Sequence, residues 1–377
     1  MSAPEKLQAL LDEAQRVLAI CNACRYCEGY CAVFPALERR LAFAESDVHY
    51  LANLCHNCGS CLYACQYAPP HEFQVNFPRL LAEVRVETYR KYTWPRFLRG
   101  TFTRNGLAMG WTTGGCLAAL FVFLDTHAGV DRLGQAWSDA QGAFYAIVPH
   151  GVMTAIFGIA LLAAILALGI GVARFWRDTG ERVGDLFAPN AAGPAAHDAL
   201  TLRYLDGGGI GCTYPDERPS DLRRRFHHLA FYGFLLCFAA TCVATLYHYG
   251  FGWKAPYPLA SLPVILGTLG GIGLVVGPAG LLWLHGKRDP ELGDPAQNGM
   301  DVLFAWMLLL TGATGLLLLA FRETRAMGTL LGLHLGMVLA LFVTMPYGKF
   351  VHGLYRLAAL ARFHLERRRP LPGIAPE

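Results

Sequence analysis

Six stretches of this chain run for about twenty residues or more without Asp, Glu, Lys or Arg, and as helices each can cross roughly 30 Å of hydrocarbon. They lie at 106–124, 143–173, 227–250, 259–284, 302–320 and 328–348. In lipid the backbone must satisfy its own hydrogen bonds, which leaves helices or a closed barrel. Nothing here alternates with the period of two that barrel strands need, so an all-α membrane domain is expected. Pro149, Pro263 and Pro278 fall in the second and fourth stretches, where a tilt, a kink or an interfacial piece is expected.

Charge orients the bundle. With the N-terminus inside, the inner segments carry 28 Lys and Arg and the outer loops carry 4. That excess predicts a multi-pass protein of a bacterial-type inner membrane with both termini cytoplasmic. The expected organisation is a head at 1–100, a six-helix membrane domain at 101–355 with a long inner loop at 174–226, and a basic tail at 356–377. The loop's "GGGIGCTYPDERPS" has glycines but no following Lys-Ser/Thr, so docking or structure is the expected role rather than phosphate binding.

The head holds two cysteine combs, "CNACRYCEGYC" from Cys21 to Cys31 and "CHNCGSCLYAC" from Cys55 to Cys65. Each reads Cys, two residues, Cys, two residues, Cys, three residues, Cys, the bacterial ferredoxin spacing for a [4Fe-4S] cluster. Its fourth cysteine ligates the other cluster, which gives Cys21, Cys24, Cys27 with Cys65 and Cys55, Cys58, Cys61 with Cys31 as the expected sets. Zinc is the competing reading, but it usually takes two separated pairs of thiolates rather than two evenly spaced quartets. No secretory signal precedes the combs, so a reducing compartment is expected. Between them, "AVFPALERRLAFAESDVHYLANL" has helical periodicity, which favours an α-helical ferredoxin-type head. Pro35 and Pro69 stand four residues past each last cysteine rather than directly after it.

Histidines mark the membrane part. His334 and His352 are eighteen residues apart, which on one helix returns to the same face after a rise of about 27 Å. Two ligands so placed suit two stacked b-type haems. The third stretch offers His227 and His248, roughly 60° from eclipsed, whereas His228 and His248 lie about 160° apart. The expected pairs are His227 with His352 for an inner haem, His228 being the alternative to His227. His248 with His334 would hold an outer haem, His150 being the alternative to His248. His285, Lys287 and Arg288 end the fourth stretch near the inner haem, where they could meet a quinone headgroup or simply anchor the helix at the interface.

"HLGMVLALFVTMPYGKFVH" resembles the last helix of the haem b subunit of respiratory nitrate reductase, and "HHLAFYGFLLCFAAT" resembles the haem-bearing helix of heterodisulfide-reductase-type subunits. The second histidine expected ten residues along the third helix is absent, with Cys237 and Phe238 there instead. Over its whole length, with "APPHEFQVNFPRLLAEVR" and "GGGIGCTYPDERPS" in the same order, the chain resembles the tricarballylate (citrate) utilisation protein B family. That resemblance implies reoxidation of an FAD-dependent tricarballylate dehydrogenase and delivery of its electrons to the membrane.

The expected function is thus a one-electron relay from a cytoplasmic flavoprotein through two [4Fe-4S] clusters and one or two haem b groups to quinone, an electron-transfer component of an oxidoreductase. The alternatives are a non-catalytic redox sensor, the membrane subunit of another quinone-linked oxidoreductase, or a transporter. Against transport, no charged residue interrupts the six stretches to mark an ion path. The partners expected are the dehydrogenase, quinone and the lipid bilayer, with no nucleic acid.

Overall fold

The computed structural model describes residues 3–136 and 142–370. The head comprises α1 (Ala3–Cys24), α2 (Val33–Leu37), α3 (Glu45–Leu54), α4 (Ser60–Tyr63) and α5 (Phe77–Tyr92). There follow α6 (Asn105–Ala128), α7 (Val130–Leu133), α8 (Ala143–Ile147), α9 (His150–Asp178), α10 (Pro189–Leu200), α11 (Leu222–Phe251), α12 (Leu262–Gly286), α13 (Asn298–Ala320), α14 (Met327–Thr344) and α15 (Val351–Glu366). Among the described residues the β-contact is a single isolated bridge, Cys212 with Ser220, so the fold is all-α. Six helices, α6, α9, α11, α12, α13 and α14, are long and apolar enough to cross a membrane.

Proline decides where the apolar stretches divide. Pro149 caps α9, so the second stretch splits into the short α8 and a membrane helix that begins at His150. Pro263 sits in the first turn of α12, where a missing N–H costs nothing, and Pro278 lies inside α12 without ending it. The sixth stretch breaks sooner than expected. Pro346 falls in a 3-10 turn over Met345–Tyr347, Gly348 is extended, and the chain restarts as α15. His352 therefore heads a separate helix, and the expectation that it shares one helical face with His334 is corrected.

α11 and α12 pack the most closely of the membrane helices. Their seam is made of glycine: a Cβ at Gly277 would lie 2.4 Å from the Ala230 nitrogen, one at Gly273 2.8 Å from the Leu229 oxygen, and one at Gly233 2.8 Å from the Leu274 nitrogen. With no side chains between them the backbones touch, which is how helices associate where no hydrophobic force drives them together. α14 packs instead on α6, α13 and α9.

The four segments grouped by charge meet at one end of the bundle. The head core of Leu18, Leu51, Leu54, Leu81 and Tyr89 is continuous with Phe175 and Trp176 at the end of α9 and with Tyr355, Ala359 and Leu360 of α15. Residues 356–366, expected in a basic tail, are thus part of the head's interior. Polar ties reinforce the join. Arg362 meets Asp47 at 3.2 Å and Glu366 at 2.9 Å, Arg40 pairs with both of those carboxylates, and Tyr50 donates to Glu366 at 3.1 Å. The α12–α13 loop joins too, through Tyr63 to Asp289 at 2.9 Å and Asn76 to the Glu291 carbonyl at 2.9 Å.

Candidate electron-transfer site

Cys21 and Cys24 end α1, and the turn after it carries Cys27 and Cys31; Cys55 follows α3, Cys61 lies in α4, and Cys65 follows it. Two cavities form between these elements. One, of about 260 Å³, is lined by Cys21, Cys24, Cys27, Cys61 and Cys65. A smaller one is lined by Cys31, Cys55, Cys58 and Cys61. Each cavity mixes cysteines of the two combs, Cys65 joining the first set and Cys31 the second, and Cys61 lines both.

Among the described residues no three His, Cys, Asp or Glu side chains converge on a point that could hold a single metal ion. A structural zinc would need four ligands within about 2.0–2.3 Å of one atom. Thiols spread around a cavity suit a polynuclear group instead, so the residues fit [4Fe-4S]. Their electrostatics agree. Burial, then the neighbouring thiols Cys65 and Cys24, pushes Cys27 up to about 12, and burial with Cys58 and Cys55 pushes Cys31 up. Thiols gathered here ionise together only with a positive charge among them, which bound iron would supply.

The glycine-rich part of the 174–226 loop lies on the combs. A Cβ at Gly208 would stand 3.0 Å from the Gly29 oxygen and one at Gly207 2.5 Å from Ser60 Oγ, so this close contact requires glycine, both residues also having positive φ. Cys212 donates its thiol hydrogen to the Cys58 carbonyl at 2.9 Å. The loop therefore acts as a cover for the second comb.

The histidines fall into three places. His227 and His352 face each other with ring centres 6.1 Å apart and planes at 78°. A metal–imidazole bond is about 2.0–2.1 Å, so two rings about 6 Å apart can share one metal atom. His352 Nδ1 is engaged by the Lys349 carbonyl, which fixes the ring and leaves Nε2 available; His227 Nδ1 is buried without a protein partner. This pair fits a bis-imidazole iron. His228 turns its ring toward Tyr232 instead, 5.8 Å away.

At the other end of the bundle His248 stacks on His150, ring centres 3.5 Å apart and planes at 12°, with no space for an atom between them. His334 stands apart from both, its Nδ1 3.2 Å from Thr314 Oγ1 and its ring against Gly315, where a Cβ would come within 2.9 Å. His285 and Arg288 line a polar cavity of about 70 Å³ with Arg85, Arg223, Asp301 and Lys349. Lys287 leaves that group and lies over the Trp283 ring at 4.3 Å, as an interfacial anchor does.

Sequence reasoning overlooked Arg223 and Arg356. Each sits one helical turn from a histidine of the inner pair, Arg223 before His227 and Arg356 after His352, and each donates to a carbonyl of the second comb: Arg223 Nη2 to His56 at 3.1 Å, Arg356 Nη2 to Cys55 at 2.8 Å. The i, i+4 spacing of Arg and His in "LRRRFHH" and "FVHGLYR" was the available signal.

A six-helix bundle carrying an eight-cysteine helical head defines an iron–sulfur electron-transfer membrane protein. Residues 104–373 match the family model described as Citrate utilization protein B, and residues 14–91 match its Fer4-like domain. Citrate utilization protein B of Escherichia coli is 53% identical over 358 residues, covering 95% of this chain and 93% of that relative. The chain belongs to the citrate utilization protein B family. No solved structure matches it.

Proposed function

We propose that the protein reoxidises a cytoplasmic FAD-dependent dehydrogenase, by family resemblance tricarballylate dehydrogenase, and passes the electrons singly to membrane quinone. The observation that carries this reading is continuity. Cys61 lines both cysteine cavities, and Arg356 connects the Cys55 carbonyl to the turn that bears His352. Cys21, Cys24, Cys27 and Cys65 would hold one [4Fe-4S] cluster, Cys55, Cys58, Cys61 and Cys31 the second, and His227 with His352 a haem b. These groups supply one-electron steps between a two-electron flavin and a two-electron quinone.

The chain's own contribution is placement. The head core shared with α15 holds the combs against the His227–His352 pair, and the loop carrying Cys212 covers the second comb. The cavity beside His285 and Arg288 has room for a few waters at about 10–15 Å³ each, a means of bringing protons to quinone rather than a pocket for its ring. A second haem at His334 would require His248 or His150 to leave their mutual stack. In this reading the head, the 174–226 loop and α15 lie on the cytoplasmic side.

The test is anaerobic reduction of the purified protein by reduced flavoprotein, followed by a water-soluble quinone analogue. Cluster and haem absorbance should report reduction and then reoxidation. Haem that stays reduced with quinone present would make this a sensor, and absence of acid-labile sulfide would end the relay reading altogether.

A further inference from the structure

The surroundings of the two combs differ in charge. Arg85, Arg223 and Arg356 converge on the backbone from Ala52 to Asn57 that leads into and through the second comb. Arg85 Nε donates to the Ala52 carbonyl at 2.9 Å, Arg356 Nη2 to Cys55 at 2.8 Å, and Arg223 to both His56, at 3.1 Å, and Asn57. Among the described residues none of the three makes an ion pair; of the two acids that line the adjoining cavity, Asp301 is held by Lys349 at 2.7 Å and Asp294 accepts from Gln297 at 3.2 Å. Arg85 is 5% exposed with Nη2 buried and unpartnered, and Arg356 Nε is likewise buried and unpartnered.

Arg223 also reaches the Cys212 sulfur at 3.9 Å and lies over the Tyr214 ring at 4.4 Å, but no carboxylate meets any of the three guanidiniums among the described residues, and buried cations without an anion nearby are costly. A [4Fe-4S] core on four thiolates is such an anion, and it becomes more negative when reduced. Among the described residues no buried guanidinium donates to the first comb: Arg25, which donates to the Asn22 carbonyl at 3.1 Å, is exposed, as is Glu28, and Tyr26 at the cavity is 67% exposed to solvent.

Resting on the relay reading above, we infer that Arg85, Arg223 and Arg356 are potential-setting residues that make the second comb the higher-potential one, so that electrons enter at the exposed first comb and leave from the second toward His227 and His352. Net charge and hydrogen bonding are two of the levers that set cluster potential, and three fixed positive charges favour the reduced state. The step is a bare electron transfer: the first group is oxidised by one electron, the second reduced by one, and no bond or proton moves.

The experiment is a reductive titration of the intact, membrane-extracted protein monitored by electron paramagnetic resonance, with Cys24→Ser and Cys58→Ser assigning the two signals. In the parent the second-comb signal should develop at the higher potential. Arg223→Gln and Arg356→Gln should each lower that potential alone, with an expected effect of about tenfold in the reduced-to-oxidised ratio, equivalent to 59 mV for one electron. Arg223→Lys, which keeps the charge but changes the hydrogen bonds, should largely restore it, whereas a loss caused by misfolding would not be restored. Arg25→Gln should leave the second-comb potential alone. A second-comb signal at the lower potential, or equal shifts of both signals, would overturn the inference while leaving the relay intact; absence of both signals in the parent would defeat the relay itself.

Discussion

In the proposed relay His352 would carry more of the path than any other single side chain. Its Nδ1 is tied to the Lys349 carbonyl, its ring faces His227, and Arg356 one turn later reaches the second comb. His352→Ala should abolish quinone-linked reoxidation while the head still accepts electrons, and a pyridine-haemochrome assay should count one haem fewer than in the parent. Unchanged haem content would remove the ligand assignment. A different residue governs acid sensitivity. His49, 1% exposed between Thr88 and Glu45, is lowered to about 4, mainly by burial and then by Lys91. The unfolded chain takes up this proton near pH 6.5 and the folded head only near 4, so the stability present above 6.5 is lost as pH falls through that window. The loss is about 3 kcal/mol at most. His49→Gln should flatten this part of the acid-unfolding profile followed by circular dichroism; an unaltered profile would show that the paired carboxylates dominate instead.

At the scale of elements the glycine seam is the most exacting feature. Gly277→Ala places a methyl 2.4 Å from the Ala230 nitrogen, and backbone cannot yield as a side chain would. Overpacking of this kind costs about 1–3 kcal/mol. Folded yield in detergent should fall, whereas Gly286→Ala, with nothing within 4 Å, should behave as the parent. Equal yields would mean that α11 and α12 separate easily. The seam also marks where sequence stops being informative. Length and lack of charge identify six membrane helices because lipid permits nothing else, and the cysteine spacing identifies the combs because a cluster's ligands are mostly local. Gly277 against Ala230 is a pairing between distant segments, and no periodicity within one helix announces it. The same limit explains the histidines. That His227 faces His352 was reachable from depth and topology, but the break at Pro346, which puts His352 on its own helix, and the stacking of His150 on His248 needed coordinates.

Taken whole, the molecule has a polar end and a membrane body, and the inner segments of the charge count all gather at that polar end. Reporter fusions at Arg203 and after Glu366 should accordingly behave as cytoplasmic, and fusions near Asp131 and Arg325 as external. An external signal at Arg203 would require a different number of crossings. Such assays also bear on the partner, because a soluble dehydrogenase can reach the exposed rim around Tyr26 only if the head is on its side of the membrane.

The burial of α15 among the head helices sets an order on biogenesis. All eight comb cysteines lie within the first 65 residues, yet Tyr355, Ala359 and Leu360, which complete the interior around them, are synthesised only after the last membrane helix. The interior of the head is therefore complete only once α15 has been made, and cluster loading is expected to follow insertion of the membrane helices. A protein truncated after Gly348 keeps every cysteine and every membrane helix. It should nevertheless reach the bilayer with little acid-labile sulfide, and co-expression of residues 349–377 as a separate peptide should restore part of it; full sulfide content in the truncated protein would mean that the head matures without its last helix.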